Sequence, residues 1–385
     1  MQRRDFLRCA VIAAASAMFV PRVVFAKAAT ERRFVFIIQR GAADGLDTVI
    51  PYADPDYARL RGAAAVESAV RLDGTFALHP SLVETAKLFT QKQALFMHAV
   101  ASPYRDRSHF DGQNILETGG TQPYQIKTGW LNRLLSLLPH EDHEAVALAP
   151  TVPLALRGPI DVISYAPSAL PQPSDDLLLR VAQLYQYDHQ LHGLWSEAMS
   201  ARSIANGADP GADHSRKNSA NIGAMAAHFL SQREGPRIAM IETDGWDTHT
   251  AQTGRLSNQL KTLDTLVASL RLGLGAAWDQ TTVMVATEFG RTAAANGTGG
   301  TDHGTGSVAM LFGGAVNGGR VLADWPGLSP GALYQGRDLR PTLALDVLVT
   351  AAVSECFGLD PQQAGHVLFP AMKADYRAIM PLLRQ

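Results

Sequence analysis

The sequence predicts an α/β fold built on a mostly parallel central sheet with helices on both faces. Two observations carry this reading. Short apolar runs of β type alternate with longer segments whose apolar residues recur every three or four positions, and clusters rich in Asp, His and Gly follow directly on several of the runs. Strands covered on both faces read as near-continuous apolar stretches, as these do.

The runs RFVFII (33–38), QALFMHAV (93–100), RIAMIE (237–242), TTVMVAT (281–287) and SVAMLFG (307–313) are read as buried strands. Helical spacing is read over 81–90, 109–118, 128–138, 174–200 with Ser174 as N-cap, 219–232, 255–273 and 341–357. Within 255–273, Leu256, Leu260, Leu263, Val267 and Leu270 share one face. The polar stretch SIANGADPGADHSRKN (203–218) is read as a surface loop and its His214 as solvated. No internal repeat or low-complexity tract interrupts the pattern.

Residues 1–28 are read as an export signal. Arg3 and Arg4 precede Asp5, Phe6 and Leu7, and an alanine-rich apolar run from Cys9 to Val20 follows. That run is too short for a permanent membrane span, and small residues allow cleavage after Ala26 or Ala28. The RRDFL core resembles the twin-arginine signal, so the expected route is the Tat export machinery and the expected destination periplasmic or otherwise exported. The alternative is a basic anchor that stays attached. Arg8 before Cys9 excludes a lipobox. Removal of residues 1–26 takes away four Arg and one Asp, so the formal charge of −2 becomes −2 − 4 + 1 = −5. A mildly acidic protein has no general electrostatic attraction to nucleic acid or an anionic membrane, so neither nucleic-acid binding nor stable membrane insertion is expected. Cys356 is then the sole cysteine, which excludes an internal disulfide. Stability has to come from burial, and a chain with 46% hydrophobic residues can supply it; residues 29–385 are read as a single domain.

Four polar clusters follow strands. They are QRGAADGLDT (39–48), SPYRDRSHFDGQNILETGG (102–120), IETDGWDTHTAQTG (241–254) and TEFGRT (287–292), the last followed closely by GGTDHGTG (299–306). Alone, each reads as turn chemistry, since an Asp-Gly pair after a strand is usually a turn. Together they place carboxylates and imidazoles at strand ends that converge in a parallel sheet, where open α/β proteins bind their ligands. A divalent ion fits this donor set: oxygen ligands suit Mg or Ca, and Zn or Mn also accept His249 and His303. The competing reading is a network of turn-capping aspartates.

The spread of RGAADGLDT, RSHFDGQNILETG, GWDTHTAQ, EFGRT and GGTDHG resembles the domain-of-unknown-function family fifteen hundred and one, of the alkaline phosphatase and sulfatase superfamily, over nearly all of the chain after residue 28. The resemblance implies an alkaline phosphatase-like sheet and a set of roles. Asp44 would be the metal-binding aspartate after the first strand. Ser108, or alternatively Ser102, would be the nucleophile, and Ser108 precedes a helical run whose N-terminus favours an anion. Asp244 and His249 resemble a metal pair with one residue more between them than usual, and Asp247 is the alternative partner of His249. Glu288 would occupy the place of a strand-end aspartate, and His303 that of a later histidine. Two departures stand out: Phe289 replaces the histidine expected after the strand-end acid, and in ASPYR (101–105) Ala101 replaces the sulfatase cysteine. Asp302 is the candidate replacement for the missing ligand.

The chemistry implied is hydrolysis or transfer of phosphate or related esters, with a small anionic ester as substrate. Arg107 and Arg291 are candidates for holding its anionic oxygens, or else for ion pairs with Asp106, Asp111 or Glu288. His109 is the candidate general base if a water attacks instead of Ser108. The alternative function is an exported binding or assembly protein that keeps a metal site without turnover.

Overall fold

Strand β1 (Arg33–Gln39) is buried along its whole length and lies in the middle of the sheet. Its side chains alternate between two cores. Phe34, Phe36 and Ile38 pack on one face with Trp130, Leu348 and Phe369, while Val35 and Ile37 pack on the other with Phe229, Leu260 and Leu270. Each such side chain contributes about 1.5–3 kcal/mol on burial, so this strand anchors both layers.

The computed structural model describes residues 30–138, 145–166, 175–185, 188, 191–195, 199, 219–233, 235–372 and 381–384. Glu31–Gln385 pack as one compact unit. A small antiparallel sheet joins β2 (Val49–Ile50) to β4 (Ala77–Leu78) and β4 to β3 (Val70–Arg71). The main sheet adds β5 (Ala94–Ala101), β6 (Ala145–Leu148), β7 (Ile163–Ser164), β8 (Ile238–Thr243), β9 (Thr281–Thr287), β10 (Ser307–Phe312), β11 (Arg320–Leu322) and β12 (Leu343–Ala344). Its order is β11-β5-β10-β9-β1-β8-β6-β7, with β12 beside β5. Only β10 runs against the others. The fold is thus α/β with a mostly parallel sheet. Helices Val83–Thr90, Ser219–Ser231 and Gln252–Leu274 contribute to one core, and helices Trp130–Leu135, Leu345–Phe357 and Pro361–Leu368 to the other.

Strands β6 and β7 escape the sequence reading because AVAL and IS are short and carry little apolar volume. The run expected to be helical from 341 starts at Leu345, since Leu343 and Ala344 pair with Val100 and Ala101. Within 174–200, Asp175–Tyr185 is helical and Asp188 is not, so the described residues do not form one continuous helix. Ser174, the loop 203–218 with His214, and the 1–28 segment lie outside the described residues.

Candidate metal centre

Because β1, β5, β8 and β9 are parallel, their C-terminal ends share one edge, and the antiparallel β10 begins at that same edge. The segments 40–47, 102–109, 244–249 and 288–291 therefore meet, joined by His303 just ahead of β10. Two glycines permit the approach. A Cβ on Gly41, whose φ is +118°, would stand 2.6 Å from the Asp247 nitrogen, and one on Gly300 would stand 2.2 Å from the His249 carbonyl oxygen.

At the centre, ligating atoms of His109, Asp247 and His303 lie within 4.8 Å of one another. The hydrogen bonds around them fix which ring nitrogens face inward. Glu288, fully buried at the end of β9, accepts from Gly41 N at 2.8 Å and Ala42 N at 3.1 Å, and its Oε1 is 2.8 Å from His109 Nδ1. A carboxylate accepting those two backbone bonds leaves His109 Nδ1 as donor, so in the neutral ring Nε2 carries the lone pair. That Nε2 is buried without a hydrogen-bond partner and sits 3.4 Å from Asp247 Oδ2. His303 Nδ1 donates to the Arg107 carbonyl at 2.9 Å, which turns its own Nε2 toward Asp247 Oδ1 at 3.4 Å. His249 Nε2 joins them, 2.9 Å from His303 Nε2 and 3.1 Å from Asp247 Oδ1.

Electrostatics follow from these contacts. Burial opposes ionisation of Glu288, yet the hydrogen bonds from His109 and the backbone hold its carboxyl below the usual glutamate range. The Glu288 hydrogen bond raises the His109 pKa in return. His303 is pushed down, chiefly by burial. Asp247 is likewise opposed by burial but held low by Arg291, which donates from Nη1 to Oδ1 at 2.8 Å. Two imidazoles presenting Nε2 inward and a carboxylate are the donor set of a three-ligand zinc-type site once the rings are neutral, and a carboxylate behind a histidine is its usual support. The residues present fit a divalent ion.

Several expectations need correction. Asp44 is not placed to hold metal: its buried carboxylate caps the Gly45–Thr48 turn, pairs with Arg61 and accepts from Gln252 Nε2 at 2.6 Å. Asp47 shares Arg61 and Gln252, and burial together with the adjacent Asp44 pushes it up to about 6. Glu288 supports His109 instead of ligating. Asp244 is exposed and makes no hydrogen bond or ion pair among the described residues. Asp302 is 3.2 Å from His249 Nδ1 and orients that ring. Both arginines expected to hold an anion are engaged by acids of the chain, Arg291 fully buried and Arg107 still 20% exposed. Arg291 is buried on Asp247 and Thr301, and Arg107 is paired with Asp338, so their partners are also not the acids the sequence suggested. Ser102 is buried, with Oγ donating weakly to the Glu288 carbonyl at 3.4 Å. Ser108 is the N-cap of helix His109–Thr118 but forms no side-chain cap bond. Phe289 stacks on His109 with ring centroids 5.2 Å apart and lies 5.3 Å from His303, forming an apolar wall where a ligand was expected.

Sequence reasoning missed Arg61, Gln252 and Asp338, since no residue-type pattern near them signals the site. It named His109 as a possible base, whereas the structure puts that ring in the cluster.

The chain is similar to the C-terminal periplasmic domain of EcEptC from Escherichia coli in complex with Zn, at 10% identity and TM-score 0.41, over 90% of this chain and 88% of that one. A putative sulfatase from Bacteroides thetaiotaomicron is similar at 11% identity and TM-score 0.41, over 90% and 76%. Alkaline phosphatase from the Antarctic bacterium TAB5 is similar at 10% identity and TM-score 0.36, over 89% and 98%. A search of curated proteins returns no match. The sequence model of the family described as protein of unknown function (DUF1501) matches residues 31–349, and the chain belongs to that family.

Proposed function

We propose that the protein is a metal-dependent hydrolase of phosphate or related esters, acting at the His109, Asp247 and His303 cluster with His249 beside it. The supporting observation is the buried, partnerless His109 Nε2, backed by Glu288 and turned toward Asp247. Ligation by these three alone, with His249 Nε2 standing 3.1 Å from Asp247 Oδ1, would leave a coordination position open, which marks catalytic sites in contrast to closed structural ones. A divalent ion, Zn, Mn, Ca or Mg, held by His109, Asp247 and His303 would supply Lewis acidity toward an ester oxygen and a lowered pKa for an attacking hydroxyl or water. The chain's own residues do the rest. Glu288 keeps the proton on His109 Nδ1, the Arg107 carbonyl keeps that of His303 on Nδ1, and Arg291 holds Asp247 ionised. Ser108, one residue before His109, is the proposed nucleophile. The substrate is a small anionic ester.

A specific observation favours a second reading, a binding or assembly protein with a retained metal site. Arg291 is fully buried on Asp247 and Arg107 gives its Nε and Nη2 to Asp338, so both guanidiniums serve internal acids first. Metal analysis of the purified protein, then assay of the loaded protein on phosphate mono- and diesters and sulfate esters, separates the two. Turnover lost in His303→Ala supports the hydrolase. An ion-loaded protein that turns over none of these esters supports the binding reading.

We further propose export by the Tat machinery, on the RRDFL segment at residues 3–7. Among the described residues no helix is long and apolar enough to cross a membrane.

A further inference from the structure

Asp338 lies far along the chain from both inward-facing histidines, yet it ties their segments together. Its side chain is fully buried, and Oδ2 accepts from Arg107 Nε at 3.0 Å, Arg107 Nη2 at 2.8 Å and Thr305 Oγ1 at 2.7 Å. Arg107 precedes His109 by two residues, and its carbonyl accepts the hydrogen bond from His303 Nδ1. Thr305 follows His303 by two. The neighbouring Arg337 donates to the His303 carbonyl, so both backbone and side chain of this histidine are tied to one turn. Strand-like pairing between Tyr334 and Asp338, at 2.8 and 3.0 Å, keeps that turn closed.

Arg107 is also in the left-handed region, at φ +62°. A non-glycine residue holds such a conformation only where its surroundings over-determine it. Here the ion pair with Asp338 does so, and the result is a carbonyl aimed at His303 Nδ1. We infer that Asp338 is a positioning residue for the metal centre: it holds Arg107 so that the carbonyl sets the tautomer and direction of His303, and it holds the 303–305 segment through Thr305. The inference rests on the metal reading proposed above.

Co(II) titration of the full chain, followed by visible absorption, tests it alongside thermal melts. Asp338→Asn keeps size and an acceptor oxygen but removes the charge, and should weaken Co(II) binding about 10–100-fold and change the absorption bands. Asp264→Asn is the control for stability alone. Asp264 is buried among other helices, accepting from Glu84 N at 2.9 Å and Thr85 N at 2.7 Å, so its variant should melt lower yet bind Co(II) as the wild type does. If Asp338→Asn does not fold, Thr305→Val removes one donor to the same carboxylate and should still weaken binding several-fold. An Asp338→Asn or Thr305→Val protein that melts lower but keeps wild-type affinity and spectrum overturns the inference alone. A wild-type protein that takes up no Co(II) overturns the metal reading and this inference with it.

Discussion

Glu288→Gln tests how the centre is built. The carboxylate is fully buried; it accepts from two backbone N–H groups and from Gln113 Nε2 at 3.3 Å, receives Thr287 Oγ1 at 3.0 Å on the other oxygen, and orders His109. Glutamine keeps the volume but removes the charge, and its amide nitrogen has to face one of these donors. Loss of a charge-assisted hydrogen bond costs about 1.5–3 kcal/mol. Loss of a carboxylate behind a metal-ligating histidine costs about 10–100-fold in metal affinity. The pH dependence has a definite sign. His109 has a raised folded pKa, so its pairing with Glu288 stabilises the metal-free protein fully below the ordinary histidine value of 6.5, and that stability is lost as pH rises through the folded pKa. Glu288 has a depressed pKa, so its contribution is present above 4.5 and is lost as pH falls through the folded value. A protonated His109 competes with metal, so the His109 part of the affinity falls as pH drops through the raised pKa. Competition titration with Zn(II) across pH should therefore show Glu288→Gln with a weaker plateau and a lower pH midpoint. An unchanged plateau and midpoint would refute the orienting role. A loss far beyond 100-fold would show that Glu288 itself ligates, contrary to this reasoning.

Arg61→Met leaves Asp44 and Asp47 buried together without their cation and should destabilise the fold by about 3–5 kcal/mol, measured by urea denaturation; a loss under 1 kcal/mol would show that the pair is not held by Arg61. Ser108→Ala should abolish ester turnover with metal content intact, and because the hydroxyl makes no cap bond its effect on melting should correspond to less than about 1 kcal/mol. Retained turnover in that protein moves the attack to water. Lysine at both Arg3 and Arg4 should block export, followed by cell fractionation, and undiminished periplasmic accumulation would show another route.

What the sequence makes legible follows from which physical property each feature needs. The strand β1 is legible because seven buried residues need apolar side chains on both faces, whereas β6, with Ala145 and Ala147, is held by its place between neighbours more than by its own composition. Close Asp–His pairs at 247–249 and 302–303 stand out because two donor types within three residues are uncommon in turns. Asp44 misleads, since an aspartate after a strand looks alike whether it caps a turn or binds an ion. Glu288 misleads for a related reason: residue type carries no lone-pair direction, and only the backbone of Gly41 and Ala42 shows that its Oε1 is occupied. Gln252 and Asp338 act through partners more than 30 residues away along the chain, which no local spacing reveals.

The central claim is that His109, Asp247 and His303 hold a catalytic divalent ion, and Zn(II) titration of the purified full chain against alanine variants of these three tests it most directly. The wild type should bind a single equivalent tightly, and each variant should lose at least about 100-fold in affinity while its circular dichroism stays native. A wild type that binds no Zn(II), Mn(II), Ca(II) or Mg(II), or three variants that bind as the wild type does, would contradict it.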